Sequence, residues 1–249
     1  GIIEGGIESD RVIALRADID ALAMNEEGEF KKDFFSINPG AAHCCGHDAH
    51  TSNLLGAAKI LMELRAEIEG KVLLVFQPGE EKLPGGGRLL CETGFLQSQN
   101  VDAIYGLHTS PSHAPGTIAT RIGPLMASPD EIEIEIYGKG GHAARPHEAI
   151  DPIEGGTAHN IIPEKVKLWG TVRTFHKETK ELIKSKLEAL LKGITEGAGG
   201  SYSFQFNYGY PAVINSEKEA NLVMQNCKDL FGEQALIELE RPTMAGEDF

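Results

Sequence analysis

Short, continuous apolar runs separated by polar residues characterise the first half of the chain. They occur at residues 12–17, 71–76 and 101–107, and their length predicts buried strands. Apolar residues then recur at helical spacing between residues 54 and 62, which predicts a helix between the first two strands. Alternation of strand and helix in this order is typical of an α/β domain.

The hydrophobic pattern changes near Ser128. Residues 131–137 (EIEIEIY) alternate charged and apolar side chains, which predicts a strand with one face exposed to solvent. Residues 165–175 and 202–208 predict further strands of this kind, and apolar positions between 182 and 194 predict an amphipathic helix. These elements predict a small α+β unit that is built on a different sheet.

The smaller unit is predicted to be inserted into the larger one. After it, Ser216 and Glu219 have the spacing of a capping box, which predicts a helix that runs to about Phe231. The predicted domains are a discontinuous larger domain at residues 1–127 and 216–249 and an inserted domain at residues 128–215.

Composition excludes several classes of protein. The 249 residues, 41% of them hydrophobic, suffice for one or two domains. The net charge of −14 argues against nucleic-acid or acidic-membrane partners, and no apolar run approaches the roughly 20 residues that cross a bilayer. Four cysteines, two of them adjacent, make a poor disulfide framework for this length, which favours a reducing, cytoplasmic location.

Residues capable of binding metals follow each predicted strand of the larger domain. Asp18 and Asp20 follow the first, Glu80 and Glu81 the second, and His108 the third. Any one of these segments is most simply an ordinary surface loop. Because ligands collect outside the carboxyl ends of strands in open α/β sheets, the three segments together predict one shared site.

The segment HCCGHDAH, residues 43–50, adds two thiols and three imidazoles directly before the predicted helix. Cysteine and neutral histidine are donors that zinc prefers, although both also occur as inert core residues. Cys45 and His47 are separated by Gly46 on a tight turn. In an adjacent pair such as Glu80 and Glu81, one carboxylate can bind a metal while the other transfers protons.

Nine segments carry a resemblance to a known family. In chain order they are IALRADIDALAMNEE, HCCGHDAHTSNLLGAAK, VFQPGEE, YGLH, GTIATRIGPLMAS, GKGGHAARPH, GGTAHNIIP, GTVRTF and TMAGEDF. Together they resemble the dinuclear metal amidohydrolases that cleave N-acyl amino acids, a group that includes hippurate hydrolases and indole-acetyl-amino acid hydrolases. The resemblance implies a zinc-peptidase-like, mixed-sheet α/β catalytic domain and a smaller α+β lid that also mediates dimerisation.

The resemblance also implies the cofactor and its ligands. Cys45, His47, Glu81 and His108 match metal ligands, with Cys45 as the bridge between two divalent ions, and Glu80 matches the general base. Zinc or manganese is expected, with cobalt and nickel as further candidates.

Further residues match positions around the substrate. His142 resembles the family histidine that reaches the partner subunit's site and stabilises the oxyanion. Asn160 matches a position near the substrate carboxylate, and Arg173 is either a second substrate-binding residue or a structural residue of its strand. Asp18 and Asp20 resemble carboxylates that orient a histidine ligand.

Several departures from the family pattern are visible. The family supplies another histidine ligand beyond the motif that ends at Phe249, and it has additional lid elements between the segments that meet at Ile153 and Glu154. Its first helix and strand are not found here, and Cys44 stands where relatives have a small residue. We expect the sequence to be part of a longer protein; the alternative is a truncated, inactive paralogue.

The predicted function is metal-dependent hydrolysis of the amide bond of N-acyl amino acids by a homodimer that forms through the lid. The predicted substrate is a small N-acyl amino acid or a short peptide. A dipeptidase or carboxypeptidase of the same family and a non-catalytic metal- or ligand-binding protein are the alternatives. A histidine beyond Phe249 would favour the enzyme.

Overall fold

The structure is a computed structural model that describes residues 1–142, 149 and 161–249. Within these residues the strands are β1 (Ile2–Glu4), β2 (Ile7–Asp18), β3 (Glu69–Gln77), β4 (Ala103–Gly106), β5 (Ile118–Thr120), β6 (Gly123–Tyr137), β7 (Gly141–His142), β8 (Ile161–Ile162), β9 (Lys165–Thr174), β10 (Ser201–Asn207), β11 (Val213–Asn215), β12 (Leu236–Glu238) and β13 (Thr243–Gly246). The α-helices are α1 (His47–Glu63), α2 (Gly86–Glu92), α3 (Phe95–Ser98), α4 (Lys177–Gly197) and α5 (Glu217–Phe231). Short 3-10 helices lie at Glu29–Phe34, Arg65–Glu67 and Glu233–Ala235.

The chain divides into two compact units. The first comprises Gly1–Gly123, Asn215–Arg241 and Asp248–Phe249, and the second comprises Pro124–Ile214 and Pro242–Glu247. The sequence predicts division near residues 127 and 215, whereas the second unit begins at Pro124 and also includes Pro242–Glu247. The roles of catalytic domain and lid stay predictions.

A four-stranded mixed sheet forms the centre of the first unit. Its strand order is β1-β3-β2-β4, in which β1 is antiparallel to β3, and β2 is parallel to both β3 and β4. The helix α1 packs on β2, and α2 packs beside β3. The predicted mixed-sheet α/β class is therefore confirmed, and the predicted strands at residues 12–17 and 71–76 lie inside β2 and β3.

The apolar core of this sheet lies next to buried polar side chains at the carboxyl ends of its strands. Its members, with the partly buried side chains packed on them, are Val12, Ala14, Leu73, Val75, Leu90, Leu96, Val101 and Ile104. Alternate residues of a strand share one face of the sheet, so Arg16 and Asp18 lie on the same face as Val12 and Ala14. Gln77 is paired with Asp18 in the parallel register of β2 and β3. The apolar core thus gives way to buried polar side chains near the carboxyl ends of the strands.

The second unit is organised around β6, a strand of 15 residues. β9 and β10 pair antiparallel with its second half, β13 pairs parallel with its first half, and α4 packs on β9 and β10. Lys180 of α4 reaches the sheet, where its ammonium lies 2.8 Å from both Ser128 Oγ and Asp130 Oδ1. The alternating sequence patterns correctly indicated these strands and this helix.

The helix α5 belongs to the first unit and begins where the capping box predicts. Ser216 precedes it, and its Oγ accepts a hydrogen bond from the backbone N–H of Glu219 at 3.4 Å. The helix ends at Phe231. Among the described residues, no helix combines the length and apolar character needed to cross a bilayer.

Candidate metal centre

Three strands of the first unit deliver candidate ligands to one edge of the sheet. Asp18 ends β2 and Asp20 follows it, Glu80 and Glu81 follow β3, and His108 follows β4. Because β2 is parallel to β3 and β4, the carboxyl ends of all three strands lie at the same edge.

His47, the first residue of α1, lies among these carboxylates. Its Nε2 is 3.6 Å from Asp18 Oδ2. It is also 3.9 Å from Glu80 Oε2 and 3.8 Å from Glu81 Oε1. Its Nδ1 lies 3.0 Å from the backbone oxygen of Asp20 and 3.3 Å from that residue's carboxylate. Since these oxygens accept hydrogen bonds, Nδ1 carries the proton of the neutral ring, and Nε2 presents a lone pair to the cluster.

The ring of His108 has the same tautomer as that of His47. Its Nδ1 donates to the backbone oxygen of Thr109 at 2.6 Å, so the neutral ring has an unprotonated Nε2. This Nε2 is 3.6 Å from Cys45 Sγ. A thiol and two imidazole nitrogens therefore face a common point.

Gly46 allows Cys45 and His47 to flank this point. Its φ of 94° and ψ of 11° are left-handed, a conformation that residues with a Cβ rarely adopt. A Cβ at Gly46 would lie 2.2 Å from Thr109 Oγ1, so the space is also closed to a larger residue. The glycine lets the chain turn sharply into α1 directly after Cys45.

The donor atoms form groups that fit a metal ion. The described groups with ligand atoms within 4.8 Å of one another in this region include Cys45–His47–His108 and His47–Glu80–Glu81. His47 Nε2 and Glu81 Oε1 are buried without a hydrogen-bond partner among the described residues. A buried polar atom left without a partner costs about 1–3 kcal/mol, and binding a cation removes that cost. Thiol, imidazole and carboxylate donors together suit a divalent transition metal.

The electrostatics of the centre also favour a cation. Burial and the charge of the Glu81 carboxylate raise the pKa of the Cys45 thiol to about 12. Burial by itself would raise the pKa of Asp18, but the hydrogen bond to His50 and the charge of Arg16 hold that pKa below its usual value. Although His108 as a residue is exposed, desolvation of its ring lowers its pKa. An unprotonated imidazole nitrogen beside several carboxylates attracts a divalent ion.

A network of buried polar side chains, which the sequence motifs do not reveal, adjoins the metal centre through Asp18. Arg16 forms ion pairs of 3.0 Å with Asp18 and with Asp248, and its Nε donates to Gln77 Oε1 at 2.9 Å. Asp18 Oδ1 lies 2.5 Å from Nδ1 of His50. The available signal was Arg16 itself, a charge inside an otherwise apolar strand and two residues from Asp18.

Arg173 belongs to the second unit, and the other predicted site residues are described only in part. Asn160 and the side chain of His142 lie outside the described residues. Arg173 is exposed on β9, where its Nη1 donates to the backbone oxygen of Met244 at 2.9 Å. Cys44 is an exposed free thiol.

Known proteins resemble this chain along most of its length. The model of peptidase family M20/M25/M40 matches residues 14–249. An N-acyl-L-amino acid amidohydrolase of Geobacillus stearothermophilus is 41% identical over 244 residues, which cover 86% of this chain and 65% of that protein. An N-acetylcysteine deacetylase of Bacillus subtilis (strain 168) is 37% identical over 275 residues, covering 98% of this chain and 70% of that protein.

A solved structure gives the same result. The YXEP protein of Bacillus subtilis, described as a dinuclear metal binding peptidase from the M20 family, has a TM-score of 0.79 and 35% identity to this chain. The match covers 99% of this chain and 70% of that one. This chain therefore spans roughly two thirds of the length of the relatives it matches. The predicted resemblance is confirmed, and the chain belongs to peptidase family M20/M25/M40.

Proposed function

We propose that the full-length protein hydrolyses the amide bond between an acyl group and an amino acid in a metal-dependent reaction. The observation that carries this proposal is the convergence of unprotonated Nε2 atoms of His47 and His108 with Cys45 and the Glu80–Glu81 pair. The names of the amidohydrolase and deacetylase relatives support the same chemistry. The predicted substrate is accordingly a small N-acyl amino acid.

The residues divide the work as follows. Cys45, His47, Glu81 and His108 are the residues proposed to hold two divalent ions, zinc or manganese. When bound, such ions lower the pKa of water towards neutrality and polarise the scissile carbonyl. Glu80 is the proposed general base, and its carboxylate takes a proton from water and returns it to the leaving amine. It is only 6% exposed, so few other water molecules compete for that carboxylate.

Further roles rest on the family resemblance. His142 is proposed to stabilise the oxyanion in the partner subunit's site, Asn160 to lie near the substrate carboxylate, and Arg173 either to bind substrate or to support its strand. Asp18 and Asp20 are proposed to orient histidine ligands, and the Asp20 carboxylate, which lies 3.3 Å from Nδ1 of His47, supports this role for Asp20. A homodimer formed through the second unit and a cytoplasmic location complete the proposal, the latter supported by four unpaired cysteines.

Replacing each glutamate of the pair tests the division of roles. Glu80→Gln should keep both metals yet lower kcat by a factor of about 10² to 10⁴, because the base is lost. Glu81→Gln should instead lower metal content, because a ligand is lost. Metal analysis and turnover of an N-acyl amino acid measure both effects in the full-length protein. A Glu80→Gln protein with wild-type turnover would refute the assignment of the base.

Substrate specificity and metal content distinguish the proposed function from its alternatives. A panel of N-acyl amino acids, dipeptides and longer peptides distinguishes an amidohydrolase from a dipeptidase or carboxypeptidase by the ratio of kcat/KM values. A full-length protein that holds less than one equivalent of transition metal, and gains no activity with zinc, manganese or cobalt, would contradict the metal-dependent enzyme. Metal binding without hydrolysis of any member of the panel would favour a non-catalytic protein.

Mixing two inactive variants tests the proposed dimer. If His142 acts in the partner's site, subunits carrying His142→Ala and subunits carrying Glu80→Gln form a mixed dimer with one complete site. Activity should then appear on mixing and subunit exchange, although each variant is inactive alone. Analytical ultracentrifugation checks that the wild-type protein is a dimer. An active wild-type monomer would contradict the role of His142.

A further inference from the structure

His50 is a buried histidine that the proposed mechanism does not use. It lies on α1 one turn after His47 and is 1% exposed. Its ring centroid lies 4.6 Å from that of His108. Both ring nitrogens of His50 have hydrogen-bond partners, and these partners determine its role.

Contacts with Asp18 and Thr109 fix the tautomer of His50, and the hydroxyl oxygen of Thr109 lies 3.2 Å from its Nε2. The backbone N–H of Thr109 donates to Nε2 at 2.8 Å. A backbone N–H can only donate, so Nε2 carries no proton and the neutral ring is protonated at Nδ1. That Nδ1 donates to Asp18 Oδ1 at 2.5 Å.

The hydrogen bond that His50 accepts from Thr109 fixes the loop that carries His108. The amide group of Thr109 donates to His50, and the backbone oxygen of the same residue accepts from His108 Nδ1 at 2.6 Å. One residue of the loop is therefore fixed through both of its backbone polar groups. With its Nδ1 bonded to the Thr109 oxygen, the ring of His108 has its Nε2 3.6 Å from Cys45 Sγ.

A series of buried polar contacts fixes the position of His50. Asp18 accepts from His50 and forms an ion pair of 3.0 Å with Arg16. Arg16 is in turn fixed by Asp248 and Gln77. All of these side chains are buried, so the imidazole has little freedom to rotate.

We propose that His50 is a positioning residue, which as its Nδ1-protonated tautomer fixes the backbone of Thr109 and thereby directs His108 at the metal centre. The proposal rests on the proposed metal site, because it assigns His50 to the geometry of one ligand. Outer hydrogen-bond partners of metal ligands are worth about 10- to 100-fold in metal affinity.

Two amide substitutions separate the two hydrogen bonds of His50. The carbonyl of Gln reaches the position of Nε2, so His50→Gln retains an acceptor for Thr109 and loses the donor to Asp18. The amide of Asn reaches the position of Nδ1, so His50→Asn retains the donor and loses the acceptor. Each variant removes the ring, so each is the control for the other. The free energy of unfolding without metal measures any general loss of stability.

Zinc affinity by chelator competition and hydrogen exchange of the Thr109 amide in metal-free, full-length protein are the measurements. His50→Asn should weaken binding of one zinc ion by about 10- to 100-fold and speed exchange at Thr109, whereas His50→Gln should stay close to wild type in both. Equal zinc affinities in the two variants, or a Thr109 amide that exchanges equally fast in wild type and His50→Asn, would overturn the proposal.

Nitrogen NMR of the wild-type protein gives a test that needs no variant. The imidazole shifts of His50 should report a protonated Nδ1 and an unprotonated Nε2, and the reverse tautomer would overturn the proposal. Failure of the proposed function is distinguishable from failure of this inference. A wild-type protein that binds zinc but cleaves no N-acyl amino acid refutes the proposed function. The zinc affinities of the variants still decide whether His50 is a positioning residue.

Discussion

At the scale of single residues, the least conventional feature is a guanidinium buried beside an acidic metal centre. Arg16 has a side chain that is 3% exposed, and the carboxylates of Asp18 and Asp248 are fully buried. Desolvation of a buried ion pair can outweigh its Coulombic attraction unless the remaining polar groups are also satisfied. Gln77 satisfies two of them, by accepting from Arg16 and donating to Asp248 at 2.6 Å. The network is therefore sensitive to the loss of any one member.

Replacing Asp248 tests this sensitivity. Asp248→Ala should lower the free energy of unfolding by about 3–5 kcal/mol, because it removes one partner of a buried pair. Glu69→Ala is the matched control, since it removes the partner of Arg11 in a pair whose side chains are 74% and 52% exposed. That change should cost less than about 1 kcal/mol. Urea unfolding of metal-free protein measures both, and equal losses would contradict the structural importance of the buried network.

Local sequence patterns could not reveal this network. Cys45, His47, Glu80, Glu81 and His108 were predicted because each lies in a short segment with its own chemical pattern. Arg16 and Asp248, in contrast, are 232 positions apart, and although Arg16 is a charge in an otherwise apolar strand, no local pattern pairs it with Asp248. The same limit applies to His50, whose partner Thr109 is known only from the folded chain.

At the scale of elements, the start of α1 determines whether the thiol and imidazole meet. Gly46 has no side chain with which to cap the helix, and its left-handed backbone allows the turn between Cys45 and His47. Gly56 lies within the same helix, and a Cβ there would meet no atom within 4 Å. Position 46 therefore requires glycine, whereas position 56 has room for a side chain.

Alanine substitution at the two glycines should change stability in opposite directions. Gly46→Ala should destabilise the protein by about 1–3 kcal/mol through backbone strain alone, and the clash with Thr109 Oγ1 adds to this cost. Gly56→Ala should stabilise it by about 0.5–1 kcal/mol, because alanine loses less backbone entropy in a helix. Thermal unfolding of both variants and zinc content of Gly46→Ala are the measurements. A Gly46→Ala protein with wild-type stability and zinc content would contradict the proposed role of the turn.

The elements also differ in how well the sequence predicted them. β2, β3 and β6 were predictable because continuous apolar or alternating runs reveal their burial. β5 and β12 are strands of three residues that pair with each other from distant parts of the chain, and three residues are too few to establish a period. Strands this short form because the tertiary structure supplies a partner, which local propensity does not encode.

At the scale of the whole molecule, the described candidate ligands are concentrated in one unit. Cys45, His47, Glu80, Glu81 and His108 belong to the first unit, which is also the unit of the buried network. A ligand that binds only the folded state stabilises what it binds, by about 2.7 kcal/mol at a free concentration 100 times its Kd. Zinc should therefore stabilise the two units unequally.

Native-state hydrogen exchange can measure this inequality residue by residue. At zinc concentrations near 100 times its Kd, the free energy of opening should rise by about 2.7 kcal/mol for the slowest amides of β2 and β3. Amides of β6 and β10 should be unaffected, because that sheet belongs to the second unit and lacks these ligands. His47→Ala is the control, and the zinc effect should disappear in it. Equal protection of all four strands would show instead that the two units open together, and no protection in either would contradict a zinc centre at the ends of β2, β3 and β4.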